Sequence, residues 1–221
     1  MIKPYYETKL GKLYHGHNLI IMPYLPKVDL LLTDPPFGIG NYIQLGGNVS
    51  GRGKYKGVAV PWNDSVPTNK FFNLVRMKSK HRIIWGANFF NCFEGDGGAI
   101  VWLKKQNMPN FSKVEIASCT HLKKTELIHG IHWTGSEASR DAETDHPSER
   151  PPELYAWCIN YVPKVETVMD PFLGSGSVAI ACERLNKRWY GIELSEEYCE
   201  DIAKRVEKEV NKPKLFQDQM G

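Results

Sequence analysis

The chain has 221 residues, enough for one domain with a full core and too few for two comfortable ones. A hydrophobic share of 42% and a charged share of 24% are those of an ordinary globular protein. With no run of 18 apolar residues and no charged-then-apolar leader, the expectation is a cytoplasmic protein without a membrane span. A net charge of +3 is too mild to name a partner, so local clusters of Lys and Arg matter more than the sum. The five cysteines are odd in number and show no CxxC spacing, which predicts reduced, mostly buried thiols and no disulfide.

Taken in order, Lys12 to His15 and Val28 to Thr33 read as short strands. The second is apolar enough for the centre of a parallel sheet. It ends at Asp34-Pro35-Pro36-Phe37. Two prolines cannot continue a central strand, so the chain breaks there, at the carboxyl edge where open α/β sheets bind ligands. An exocyclic amine is a poor nucleophile because its lone pair is delocalised into the base. A carboxylate on Asp34 and the Pro35 carbonyl could each accept an amine hydrogen, Pro36 adds rigidity, and Phe37 offers a flat face for a base turned out of a duplex. The plainer alternative is a helix-stop turn.

Residues 41 to 60 read as a mobile basic loop, rich in Gly and Asn and carrying Arg52, Lys54 and Lys56. It would close over phosphate, or else serve as a solvated linker. Arg82 to Phe90 and Ala99 to Lys105 continue as further strands and turns. A second basic cluster joins Lys104 and Lys105 with Lys123 and Lys124. Cys119, His121, His129 and His132 invite a metal reading, but their spacing matches no common zinc pattern, and no metal is expected.

The apolar run Val165 to Met169 leads into Asp170-Pro171-Phe172-Leu173-Gly174-Ser175-Gly176-Ser177 and then a helix over Val178 to Leu185. Glycines in such a turn allow backbone angles closed to other residues and let a ligand approach the main chain. A strand, Arg188 to Ile192, ends at Glu193 with Leu194 beside it, near the spacing at which an acid reaches a ribose. The unit reads as the nucleoside-binding half of a doubly wound α/β sheet, for a dinucleotide or for S-adenosylmethionine; a tight turn binding nothing is the plain alternative. A last helix, Ser195 to Val210, is expected to pack Tyr198, Ile202, Val206 and Val210 into the core.

The two motifs together resemble the amino-methyltransferases of DNA, which transfer a methyl group from S-adenosylmethionine to adenine N6 or cytosine N4. Their (D/N/S)-P-P-(Y/F/W) motif reads Asp34-Pro35-Pro36-Phe37 here, and their F-x-G-x-G loop reads Phe172-Leu173-Gly174-Ser175-Gly176. The catalytic motif comes first, which looks like the circularly permuted β-type order. Trp62-Asn63-Asp64 and Trp85-Gly86-Ala87-Asn88 resemble compact, often phage- or prophage-borne, members. The fold implied is a Rossmann-like class I methyltransferase sheet.

The resemblance implies further roles. His146-Pro147-Ser148-Glu149-Arg150-Pro151 stands where the family has H-P-T-Q-K-P, ahead of a helix over Glu153 to Tyr161 whose apolar face would be Leu154, Trp157, Cys158 and Tyr161. Pro151 and its neighbours would pack beside the methionine part of the cofactor, and Asp170 would lie near its ammonium. Gly16-His17-Asn18 replaces a usual Gly-Asp, so His17 and Asn18 stand where an acid contacts the cofactor adenine. Target recognition falls in Gln106 to Asp145, short enough to suggest a short target or a partner subunit. Permuted relatives often pair, and aromatics read as exposed at Trp62, Phe71 and Phe72 fit a homodimer.

The resulting expectation is a DNA adenine-N6 methyltransferase, since Asp at the first motif position is commoner in adenine enzymes. Cytosine N4, RNA adenine, a silent nucleic-acid-binding partner subunit and a dinucleotide oxidoreductase are the alternatives; the last leaves Asp34 to Phe37 unexplained.

Overall fold

The computed structural model describes residues 2–38, 66–90, 92–93, 98–104, 112–128, 130–131 and 150–212. In chain order the strands are β1 (Tyr6–Glu7), β2 (Gly11–His15), β3 (Val28–Thr33), β4 (Ser79–Trp85), β5 (Ala99–Leu103), β6 (Val114–Cys119), β7 (Thr125–Ile128), β8 (Thr167–Asp170) and β9 (Arg188–Glu193). The helices are α1 (Asn18–Ile21), α2 (Asn69–Lys78), α3 (Ala87–Phe90), α4 (Pro152–Tyr161), α5 (Ser177–Arg184) and α6 (Glu196–Val210), with a 3-10 turn at Met22–Tyr24.

Among the described residues the nine strands form one sheet in the order β1-β2-β9-β8-β3-β4-β6-β5-β7. The five from β2 to β4 are mutually parallel, β6 is antiparallel to β4, and β5 is antiparallel to β6. The carboxyl ends of β2, β9, β8, β3 and β4 therefore share one edge, where a doubly wound sheet opens its ligand crevice.

Side-chain alternation explains why β3 is central. Leu30 and Leu32 enter one core with Trp85, Leu154, Cys158, Val178 and Ile202, while Leu31 enters the other with Ile84, Met169, Phe71 and Val75. A strand apolar on both faces must be covered on both. Helices α4, α5 and α6 cover the first face; α1, the 3-10 turn and α2 cover the second.

Several expectations shift here. Phe71 and Phe72 are buried on α2, so they offer no exposed aromatic surface for pairing; Trp62 lies outside the described residues. On α4 the buried stripe is Leu154, Tyr155, Cys158 and Ile159, whereas Trp157 and Tyr161 are only partly buried and stack on each other at 4.6 Å. On α6 it is Cys199, Ile202, Arg205 and Val206, and Val210 is exposed. Ser195 caps α6 by accepting the Tyr198 N–H, with Glu196 and Glu197 in the positive first turn. All five cysteines are buried free thiols. Among the described residues no helix is long and apolar enough to cross a membrane.

Gly11 faces Trp189 across the β2–β9 pairing, and a methyl group there would fall 1.8 Å from the buried indole. Trp189 is also held in place by its Nε1, which donates to Glu183 at 2.9 Å. We expect Gly11→Ala to lower stability by about 1–3 kcal/mol, the usual cost of overpacking, in urea unfolding followed by tryptophan fluorescence.

Candidate active site

Five loops meet at the carboxyl edge. The turn after β8 carries Gly174 and Gly176 in left-handed conformations, with φ of 54° and 82°. Gly176 opens α5, and a Cβ there would lie 3.2 Å from Ile202 of α6. Glycine thus fits on two counts, backbone angle and space. The Leu173 N–H bonds the Ile192 carbonyl at 3.0 Å, and the Leu173 side chain fills the room left by Gly191. Ser175 and Ser177 place their hydroxyls 3.1 Å apart.

Asp170 is buried, and its Oδ1 accepts from the Thr33 hydroxyl at 2.7 Å and the Phe172 N–H at 3.0 Å. Burial pushes its carboxyl up to about 7, although those two hydrogen bonds pull it down. Glu193 holds the loop in place. Its Oε2 accepts the Gly174 N–H at 2.8 Å, and its Oε1 accepts the N–H groups of Leu194 and Ser195 at 2.8 and 2.9 Å. Burial, the largest influence, nevertheless raises its pKa. Asn18 donates from Nδ2 to the Pro171 carbonyl at 3.3 Å, and His17 caps α1 through Nδ1 on the Leu19 N–H at 3.1 Å. Leu194 is exposed, while Pro151 is buried at the start of α4.

The tetrapeptide Asp34-Pro35-Pro36-Phe37 follows β3 directly. Thr33 and Pro35 are buried, Asp34, Pro36 and Phe37 half-buried. Phe37 lies against Gly86, where a Cβ would meet its ring at 2.2 Å, and stacks on Phe89 with centroids 4.8 Å apart and planes 12° off parallel. Phe90 adds a tilted ring at 5.8 Å. Arg150, buried, pairs with Asp34 through NH1 and with Glu115 of β6 through NH2 at 2.7 Å and Nε at 2.8 Å. Glu115 in turn pairs with Lys104. Burial raises the Glu115 carboxyl, with Lys104 opposing it, and lowers Arg150, with Tyr155 opposing.

The proposed nucleic-acid contacts fare differently. Lys104 must be withdrawn: it is 7% exposed, committed to Glu115 and close over the Trp102 ring, so it presents no charge to a phosphate. Lys123 and Lys124 are exposed at the start of β7, four strands from β3, which at about 4.8 Å per strand is roughly 19 Å across the sheet. Lys124 pairs with Glu126 at 3.0 Å. Arg52, Lys54, Lys56 and Lys105 lie outside the described residues, as does the rest of the 41–60 loop. Of the recognition stretch 106–145, the described part is largely β6 and β7, built into the sheet itself.

Two charged groups escaped the sequence reading. Arg205 of α6 is buried and donates from NH1 to the Ser175 carbonyl, so a helix expected only to pack also supports the glycine loop. Its signal was a cation on an apolar stripe. Glu115 had no signal beyond one acid inside a short apolar strand.

A parallel doubly wound sheet with a glycine loop and Asp-Pro-Pro-Phe on adjacent strand tips defines a class I S-adenosylmethionine-dependent methyltransferase. The family model for DNA methylases of the N6/N4 type matches residues 28–205, and the chain belongs to that family. It is similar to the type II methyltransferase M2.LlaDCHI of Lactococcus lactis subsp. cremoris, at 23% identity over 94% of this chain and 93% of that one. Similarity to M2.DpnII of Streptococcus pneumoniae is also 23%, over 95% and 94%. Among solved structures, the cytosine-N4-specific PvuII DNA methyltransferase superposes with a TM-score of 0.63 at 18% identity, over 99% of this chain and 91% of its own. The M1.HpyAVI–SAM complex does so at 0.57 and 18% identity, over 89% and 100%.

The chain is thus a DNA methyltransferase with S-adenosylmethionine as its methyl donor. The loop suits that cofactor: left-handed glycines at positions 174 and 176, and a buried acid, Asp170, at its mouth. An acid whose folded pKa of about 7 lies above its ordinary 3.8 keeps its proton longer when folded, so its ionisation lowers stability as pH rises from about 4 to about 7. On the expectation that Asp170 meets the cofactor's ammonium, its ionisation favours binding. S-adenosylhomocysteine should bind about tenfold tighter at pH 8 than at pH 6, and Asp170→Asn should flatten that dependence, both read by titration calorimetry.

Proposed function

We propose that this protein methylates N6 of adenine in DNA, acting on a base turned out of its stack. Asp34 carries the reading. Its Oδ2 is held by Arg150, while its Oδ1 is buried and has no hydrogen-bond partner among the described residues. A buried acceptor without a donor is costly, so a ligand that brings an N–H there recovers that cost. The amine of the target base is such a donor.

Asp34 Oδ1 accepts one amine hydrogen and the Pro35 carbonyl accepts the other, drawing the nitrogen towards a tetrahedral form with its lone pair free. Oriented acceptors of this kind stabilise the developing charge without reorganising. Phe37 and Phe89 supply the aromatic face for the base. On the cofactor side, Asp170 meets the ammonium, Gly174 and Gly176 let the main chain approach, and Glu193, already accepting from Gly174, Leu194 and Ser195, turns the remaining lone pair of Oε2 to the ribose. Phe172, Ser175, Ser177, Asn18, His17, Pro151 and Leu194 complete the wall. When bound, S-adenosylmethionine supplies an electrophilic methyl carbon.

Adenine is favoured by the acid at position 34, where cytosine enzymes more often carry serine. Cytosine N4 is the second reading, since the family takes in both amines. Unmethylated DNA is to be incubated with S-adenosylmethionine and either the parent or Asp34→Ala, then digested to nucleosides and weighed by mass spectrometry. N6-methyladenine from the parent, falling about 10²–10³-fold in the variant, is the expected result. N4-methylcytosine would move the assignment to cytosine. No product despite S-adenosylhomocysteine binding would leave a silent nucleic-acid-binding subunit.

A further inference from the structure

The arrangement around Arg150 contains more than a counter-ion for Asp34. A guanidinium and a carboxylate prefer to meet as two forks, with two parallel N–H···O bonds. Arg150 does not do this with Asp34. Its Nε and NH2 both donate to Glu115 Oε2, at 2.8 and 2.7 Å, and only NH1 is directed to Asp34, at Oδ2. Lys104 holds Glu115 from the opposite side, through Oε1. Glu115 is 18% exposed and Lys104 9% at their side chains, so neither pair is a loose surface contact.

We propose that Glu115 is a positioning residue for methyl transfer. By occupying the side-on fork of Arg150, it restricts that cation to one oxygen of Asp34 and keeps Oδ1 open for the target amine. Without it, the guanidinium turns to span both carboxylate oxygens and occupies the acceptor the substrate needs. Arginine at position 150 is what makes the restraint necessary, since a lysine ammonium is a point charge with no fork to close. The inference rests on the amino-methyl-transfer reading of Asp34.

The test combines single-turnover methyl transfer to unmethylated DNA with crystal structures of the parent and Glu115→Gln, each with S-adenosylhomocysteine. Glu115→Gln should slow transfer by about 10–100-fold, a misplacement-sized effect, with the KM for S-adenosylmethionine close to the parent's. Glu115→Asp, which preserves the charge balance of the buried network but is one methylene short, should slow it similarly. Adding Arg150→Lys to Glu115→Gln should recover most of the lost rate, which repair of a merely structural defect would not do. In the Glu115→Gln crystal, Arg150 should contact both oxygens of Asp34.

A parent-like rate in Glu115→Gln overturns the proposal. So does a loss that Arg150→Lys does not rescue, or an Arg150 that spans both Asp34 oxygens in the parent crystal. If the parent itself transfers no methyl group, the function assigned to Asp34 fails, and the two crystal structures still decide whether Glu115 governs how Arg150 meets it.

Discussion

A side-chain hydrogen bond at the strand tips ties the two halves of the site together. Thr33 ends the strand that delivers Asp34-Pro35-Pro36-Phe37, Asp170 ends the strand that delivers the glycine loop, and the hydroxyl of one donates to the carboxylate of the other at 2.7 Å. The bond spans 137 positions of sequence and exists because β3 and β8 lie side by side, Leu30 beside Val168 and Leu31 beside Met169. A slip of one residue in that pairing would exchange the two faces of β3 and place Leu31 in the wrong core. Packing on both faces thus fixes a register, and the register fixes the distance between the glycine loop and Asp34.

Charge at the same edge is handled by alternation. Lys104, Glu115, Arg150 and Asp34 form a largely buried series of alternating sign, drawn from the residue after β5, from β6, from the approach to α4 and from the residue after β3. Ionised groups taken from water are tolerated only when each is compensated, and the loss of one partner leaves an exposed deficit in the next. The antiparallel strands at the sheet's outer half, β6 and β5, are therefore part of the chemistry of β3, though they touch neither motif in sequence.

Much of this architecture was legible, and the physical reasons differ by residue. The strand preceding Asp34 and the loop at Gly174 and Gly176 announce themselves because proline and glycine restrict or release the backbone locally, with no need of distant partners. Lys104 misled because a lysine among lysines reads as a solvated cluster; only the fold brings Glu115 beneath it. The stripes of α4 and α6 came out rotated, since an amphipathic pattern fixes a face only to within a residue or so when both neighbours are acceptable. Phe71 and Phe72 had no helix assigned to them, and without α2 their burial could not be foreseen. Arg150 was visible as a departure from lysine, yet its fork has meaning only beside two carboxylates.

The cofactor half of the sheet is built from both ends of the described chain. β2 pairs with β9, and His15 reaches the carbonyl of Leu194 across 179 positions of sequence. During synthesis at roughly 5–20 residues per second, β2 therefore waits on the order of ten seconds or more for its partner strand to leave the ribosome. Throughout that interval its edge has to remain soluble and unpaired. The crevice closes late, so a nascent chain can present Asp34 at the tip of β3 well before the glycine loop and its neighbouring strands exist.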